Sequence, residues 1–313
     1  MVSLNIELPD GFLEEEVRCD YTVSKKMKEV WAVELDLAAQ LLDVCKRHNI
    51  QVFADGGTLL GAARHGGFIP WDDDMDFCMM RDEYERFCKI APSEFKEPYF
   101  FQTFDTEADY HKGHAQIRNS QTTAILNENI GKATYNQGIF IDVFPMDEVA
   151  TNTKEFQRQK EKVERYQKMT WILDGYVYKK DKSGALKKAI ATLIDKIIPR
   201  DQWFKRYEKA LQEANGKGNK YVGTICLQMR NDKLLRDKKF YENVDYMNFE
   251  GFDFPVPVYA EELLTVIYGD WHKFVRGTSL HGNTYFDTNN SYKDYLNHTI
   301  LGQENKNAVT SEG

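Results

Sequence analysis

The densest chemistry in the chain is Asp72-Asp73-Asp74-Met75-Asp76, which runs directly into the apolar Phe77-Cys78-Met79-Met80. In an extended segment Asp72, Asp74 and Asp76 share one face, about 7 Å apart at each two-residue step. At an effective dielectric near 20, each neighbouring pair repels by about 2 kcal/mol. A solvated acidic loop tolerates such a run, but apolar residues that favour burial flank this one. A divalent cation is the simplest compensation, and all-oxygen ligands select Mg²⁺ or Mn²⁺. Upstream, Ile50 to Ala54 reads as a short strand, Asp55-Gly56-Gly57 breaks it, and Thr58 to Arg64 reads as a short helix. Glycines allow a backbone to approach a phosphate closely, and amides that open a helix point at the anion. Gly56, Gly57 and Thr58 are therefore candidates to hold a donor phosphate, with Asp74 and Asp76 holding the metal on its oxygens. That constellation suits phosphoryl or nucleotidyl transfer, in which positioning and charge neutralisation carry most of the catalysis.

A second acid stands out further on. Asp142 is alone within Ile139-Phe140-Ile141-Asp142-Val143-Phe144, an apolar strand pattern. A carboxyl buried there needs a metal or a partner, of which an arginine is the ordinary one. Three other motifs fail on inspection. The acidic run has the spacing of a calcium loop, but Phe77 stands where that loop needs Gly. Gly56 to Gly61 has phosphate-loop spacing but is followed by Ala62-Ala63 instead of Lys-Ser/Thr. Gly57 to Gly61 is a G-x-x-x-G with no long apolar helix to carry it.

The elements that must position these groups follow from periodicity. Residues 24 to 48 repeat apolar side chains at helical steps, and Asp82 to Ile90 opens with acids, as a helix N-terminus prefers. Strands are expected at 77–80, 99–104, 114–118, 138–144, 221–227 and 249–254. Helices are expected at 153–174, 184–198, 201–214 and 259–268. The class is α/β or α+β, strand-rich before residue 150 and helix-rich after it.

Composition narrows the function. A net charge of −8 over 313 residues argues against a nucleic-acid binder. Five scattered cysteines without a C-x-x-C fit a reducing cytoplasm. The first residues lack the basic start and apolar run of a secretory signal, and no stretch is long and apolar enough to span a membrane.

The segment ADGGTLLGAARHGGFIPWDDDMDFCMMRDEYERF (54–87) resembles the signature of the LicD family of phosphocholine transferases. The fukutin-related ribitol-phosphate transferases are similar. QTF (102–104), QIRNS (116–120), GIFIDVFPMD (138–147) and FPVPVYAEELLTVIYGDW (254–271) resemble later family blocks in the same order. The resemblance spans roughly residues 30 to 285. It implies a nucleotidyltransferase-like mixed β-sheet flanked by helices, with a helix-rich C-terminal part. Residues 24–150 would form the catalytic core, 151–301 a substrate-binding part completing the same unit, and 302–313 a disordered tail. The superfamily's Gly-Gly/Ser turn falls on Gly56-Gly57, its Asp-x-Asp on Asp74-Met75-Asp76, and its third carboxylate on Asp142.

The activity so implied is transfer of phosphocholine from CDP-choline to a hydroxyl of a glycan, with release of CMP. The acceptor would be a teichoic acid, lipopolysaccharide or capsule precursor. Transfer of ribitol-phosphate or glycerol-phosphate from a CDP donor, an Asp-x-Asp glycosyltransferase, and an inactive glycan-binding protein stay open beside it. Arg64 and Arg118 suit forked phosphate contacts, or structural ion pairs. LicD-like proteins often carry an Arg and a His after the YGDW block, here Arg276 and His281, which would reach the donor. His111 and His114 lack a third ligand and read as surface or structural residues. Trp71, Tyr110 and Tyr135 could face a quaternary ammonium, although packing is the ordinary role of such rings. Residues 178–200 carry seven Lys or Arg against two Asp beside an apolar stripe. That segment would either pack on the protein or make peripheral contact with the cytoplasmic membrane face.

Overall fold

The structure is a computed structural model that describes residues 1–126, 134–150, 152–173, 193–194, 196–227, 229, 235–276 and 284–296. The elements in chain order are β1 (Glu16–Arg18), β2 (Tyr21–Val23), α1 (Lys25–Arg47), β3 (Phe53–Ala54), α2 (Gly56–His65), β4 (Asp76–Met80) and α3 (Arg81–Glu94). They continue with β5 (Tyr99–Gln102), β6 (Ala115–Asn119), β7 (Thr123–Leu126), β8 (Ile139–Val149), α4 (Thr153–Leu173) and α5 (Arg200–Leu211). The last are β9 (Tyr221–Gly223), β10 (Arg236–Asp237), β11 (Val244–Phe249), β12 (Phe252–Pro257), α6 (Ala260–Tyr268), β13 (Thr284–Asp287) and α7 (Tyr292–Leu296).

β8 is the spine. Its β-branched and aromatic residues favour extended backbone, and every residue of the strand is buried. Around Asp142 it pairs parallel with β4 and antiparallel with β6; Asp142 is in register with both Asp76 and Gln116, so those strands lie on opposite edges. Further along, Asp147 to Val149 pair with β9, and β3, β5 and β10 complete a seven-stranded mixed sheet. The mixed α/β architecture expected from the sequence is therefore the one that forms. The strand continues beyond Phe144, through Pro145 to Val149. Pro145 falls between the residues paired with β6 and those paired with β9, where one neighbouring strand fewer needs its missing N–H.

α1 begins at Ser24, whose hydroxyl accepts from the Met27 amide at 3.3 Å, a regular N-cap. It is buried around most of its circumference from Val30 to Ala38. Sheet residues cover one side. Val2, Leu4, Ile6 and Leu8 of the N-terminal segment pack on the same core, and the Asn5 amide donates to Asp36 at 2.8 Å. α4 packs on α5, with Lys162 on Glu213 at 2.7 Å. The hairpin β1–β2 and the β7–β13 pair add two small sheets that the sequence pattern did not reveal. Most of the basic stretch 178–200, His281 and the tail 302–313 lie outside the described residues.

One buried ion pair clamps α3 to the far end of β8. Arg81 donates to both oxygens of Asp147, at 2.7 and 2.5 Å, and Asn215 donates to Oδ1 at 2.7 Å. Asp147 is fully buried. Removing the cation strands a carboxylate in the core, so Arg81→Met should lower stability by about 3–5 kcal/mol. Denaturant unfolding measures it, and a loss below about 1 kcal/mol would mean the pair is a bystander.

Candidate active site

Register carries one polar row across the sheet. Gln102 pairs with Gln116, Gln116 with Asp142, and Asp142 with Asp76. Residues in register on adjacent strands project from the same face, so the acid of β4 and the acid of β8 are neighbours. β3 extends the row, since the Asp55 amide donates to the Asp76 carbonyl at 3.0 Å. Asp55 itself accepts from the buried Arg236 at 2.5 Å, and Arg236 also reaches the Tyr241 hydroxyl at 2.7 Å.

The loop before β4 brings the carboxylate oxygens of Asp72, Asp73 and Asp74 within 4.8 Å of one another. Backbone bonds hold this loop. The Asp142 amide donates to the Met75 carbonyl at 2.9 Å, and the indole N–H of Trp31 donates to the Asp72 carbonyl at 3.0 Å. α2 starts at Gly56, earlier than its apolar pattern suggests. Gly56 has φ +52°, and a Cβ there would lie 3.0 Å from Asp76 Oδ2. A Cβ on Gly57 would lie 2.6 Å from Asp72 Oδ2. The positive φ favours glycine at position 56, both glycines leave the Asp76 and Asp72 carboxylates room beside the backbone, and the first-turn amides of α2, which a helix leaves without internal partners, sit beside the acids. Thr58 contributes differently: its hydroxyl oxygen accepts from the Asp76 amide at 2.8 Å and fixes the start of β4.

The electrostatics follow from crowding. Burial, then the neighbouring charges of Asp74 and Asp73, push Asp72 up to about 8. Burial and the charges of Asp74, Asp142, Asp55 and Asp72 push Asp76 well above the ordinary carboxylate range. Asp142 goes the other way. Burial opposes its ionisation, but His114, Lys112 and the Gln116 amide outweigh burial and hold it below that range. His114 Nε2 lies 3.2 Å from Asp142 Oδ1, and Gln116 donates to the same oxygen at 2.7 Å. The oxygens that converge among the described residues are those of Asp72, Asp73 and Asp74, with Asp76 and Asp142 in register beside that group but not part of it; such an all-oxygen set fits a hard divalent cation.

The other residues singled out from sequence are distributed unevenly. Arg118 is buried over the Phe140 ring and donates to Gln102, Gln116 and the Gly138 carbonyl, at 2.5, 2.5 and 2.6 Å. It stands behind the polar row with its hydrogen bonds directed to neutral oxygens. Arg64 ties α2 to the segment after α6 through the carbonyls of Trp271 at 3.0 Å and Lys273 at 3.4 Å. Arg276 lies over the Tyr21 ring, and Tyr21 meets Trp71 edge-on at 6.1 Å. Trp71 is half-buried next to Asp72, whereas Tyr110 and Tyr135 are buried and pack on each other.

Two neighbours of the candidate site escaped the sequence reading. His114 is buried against Asp142, where a surface or structural histidine and an arginine partner for the acid had been the ordinary expectations. The signal was the strand at 114–118, because an antiparallel pairing with β8 places its polar residues beside Asp142. Glu34 is a buried acid of α1 among the aspartates. Its only signal is an acid inside the apolar face of a helix.

Comparison with known proteins agrees with this geometry. Residues 49–177 match the family described as LicD/FKTN/FKRP, nucleotidyltransferase domain. The lipopolysaccharide cholinephosphotransferase LicD of Haemophilus influenzae is 30% identical over 259 residues, covering 79% of this chain and 91% of that protein. Shorter matches reach uncharacterized proteins of Rickettsia typhi, 42% identical over 55 residues and 18% of each chain, and Rickettsia prowazekii, 40% identical over 50 residues, 16% of this chain and 19% of that one. The long match, the domain match and the Gly-Gly turn set against paired aspartates together show that this chain belongs to the LicD family.

Proposed function

We propose that this protein is a divalent-metal-dependent phosphotransferase that moves phosphocholine from CDP-choline to a hydroxyl of a cell-surface glycan or its lipid-linked precursor, releasing CMP. The observation that carries the reading is the register of Asp76 with Asp142, facing the glycines at the start of α2. The name of the Haemophilus relative supports the transferred group and the acceptor class. Asp74, Asp76 and Asp142 would hold Mg²⁺ or Mn²⁺, which when bound neutralises the diphosphate of the donor.

The remaining work belongs to the chain. Gly56 and Gly57 let the amides that open α2 approach the donor oxygens, and Thr58 holds Asp76 in place for them. The acceptor oxygen attacks the phosphorus bearing choline, the bond from that phosphorus to the oxygen of the CMP phosphate breaks, and CMP departs with the bonding pair. The hydroxyl proton passes to a carboxylate. Asp142, in register with Asp76 and ionised beside His114 and Gln116, is the candidate to receive it. Trp71, half-buried beside Asp72, offers the trimethylammonium an aromatic face. None of the helices among the described residues is long and apolar enough to cross a membrane. We place the enzyme in the cytoplasm, where CDP-activated donors are made, with peripheral access to a lipid-linked acceptor.

Three outcomes are expected. Asp76→Asn should lower turnover on the order of 10²-fold or more, while the metal-free melting temperature holds or rises, because an amide avoids the cost of ionising a buried carboxyl among other acids. CMP release with CDP-choline as donor measures the first, and unchanged turnover would refute the metal assignment. In a donor panel, CDP-choline should outperform CDP-ribitol and CDP-glycerol; the reverse order would move the reading to those groups, and release of a nucleoside diphosphate would move it to glycosyl transfer. Trp71→Ala should raise KM for CDP-choline about tenfold with little change in kcat, and an unaltered KM would remove the ring from the headgroup site.

A further inference from the structure

Gln116 and Arg118 lie two residues apart on β6 and therefore share a face of the sheet. Gln102 and Asp142, each in register with Gln116, project from the same face. Arg118 is buried over the Phe140 ring. Its guanidinium donates to Gln102 Oε1 and Gln116 Oε1, both at 2.5 Å, and to the Gly138 carbonyl at 2.6 Å. Gln116 is buried too, and its Nε2 donates to Asp142 Oδ1 at 2.7 Å. His114 Nε2 lies 3.2 Å from that same oxygen. Both contacts of the carboxyl thus fall on Oδ1, and no hydrogen bond to Oδ2 comes from the described residues.

Chemistry dictates the direction of this chain of bonds. A guanidinium only donates, a carboxylate only accepts, and an amide does both, accepting at oxygen and donating at nitrogen. Between Arg118 and Asp142, Gln116 therefore has one orientation that satisfies both neighbours: oxygen to the guanidinium, nitrogen to the carboxylate. Without Arg118 the amide is free to turn over, and the turned form sets its oxygen against Asp142. We propose that Arg118 is a positioning residue, which fixes the Gln116 amide so that Asp142 is held by Oδ1 and keeps Oδ2 for the cation or the acceptor proton. The proposal rests on the metal-dependent reading above, and it replaces the forked phosphate contact that the sequence suggested for Arg118. Partners set behind a ligating carboxylate in this way carry about 10–100-fold in metal affinity or activity.

The test compares the wild type with Arg118→Met, Arg118→Lys, Gln116→Met and the double variant Arg118→Met/Gln116→Met. CMP release with CDP-choline as donor gives kcat and KM, and electron paramagnetic resonance of free Mn²⁺ gives metal affinity without nucleotide. Arg118→Met should lower both kcat and Mn²⁺ affinity about tenfold or more, with KM for CDP-choline within about twofold of wild type. Arg118→Lys, which keeps a donor for Gln116, should recover part of both losses. The double variant should be no worse than Gln116→Met alone, because the effect runs through the amide. A raised KM with kcat unchanged would overturn the proposal in favour of a contact to the donor. A lowered melting temperature with kcat, KM and Mn²⁺ affinity unchanged would reduce Arg118 to a structural residue, and additive losses in the double variant would show that it acts by another route. Should Arg118→Met fail to fold, Gln116→Met decides: wild-type kcat and Mn²⁺ affinity in that variant would overturn the proposal and leave the metal-dependent reading standing. A wild type that binds no Mn²⁺ would overturn both.

Discussion

Carboxylate oxygens of Asp72, Asp73 and Asp74 within 4.8 Å of one another repel by about 3 kcal/mol per ionised pair at an effective dielectric near 20, and that crowding, added to burial, pushes Asp72 up to about 8. The backbone that carries them must therefore be anchored elsewhere. The anchors engage main-chain groups. Trp31 holds the Asp72 carbonyl, the Asp142 amide holds the Met75 carbonyl, Thr58 holds the Asp76 amide, and the Asp55 amide holds the Asp76 carbonyl. Each bond restrains the chain without occupying a carboxylate oxygen. A backbone held in this way fixes the position of the acids before any ligand arrives, which is the sense in which a site is preorganised.

The same constraint decides what the sequence could reveal. Asp74-Met75-Asp76 and Gly56-Gly57 were legible because both are local: a charge run against an apolar strand, and a turn before a short helix. Asp142 was legible because one acid in an apolar strand is anomalous wherever it lies. The fold class followed from periodicity for the same reason. What was not legible depends on register. Gln116 and His114 reach Asp142 only when β6 pairs antiparallel with β8, a choice made by the whole sheet. A shift of one residue would turn Gln116 to the opposite face. Arg236 reaches Asp55 across a sequence separation of 181 residues, and nothing near either residue announces the partner. β8 continued past Pro145 because the proline happens to sit where the strand changes neighbours, which is again a tertiary fact.

Arg118 supports the buried acid of β8 without pairing with it directly. Its guanidinium donates to the amide oxygens of Gln102 and Gln116. Each amide nitrogen in turn donates to a carboxylate: Gln102 to Glu107 and Gln116 to Asp142. One buried cation thus serves two acids, each through one amide. A hydrogen-bonded chain of this kind polarises its members, so the Gln116 N–H is a stronger donor than an isolated amide. Asp142 gains that donor on Oδ1, together with His114. A direct Arg118–Asp142 pair would bind the carboxylate in a fork and neutralise it locally. The relay instead delivers part of the positive charge through a neutral group and leaves the carboxylate able to meet a metal ion or a proton. The glutamine between them is what lets a buried arginine stand behind Asp142 without forming a fork with its carboxylate.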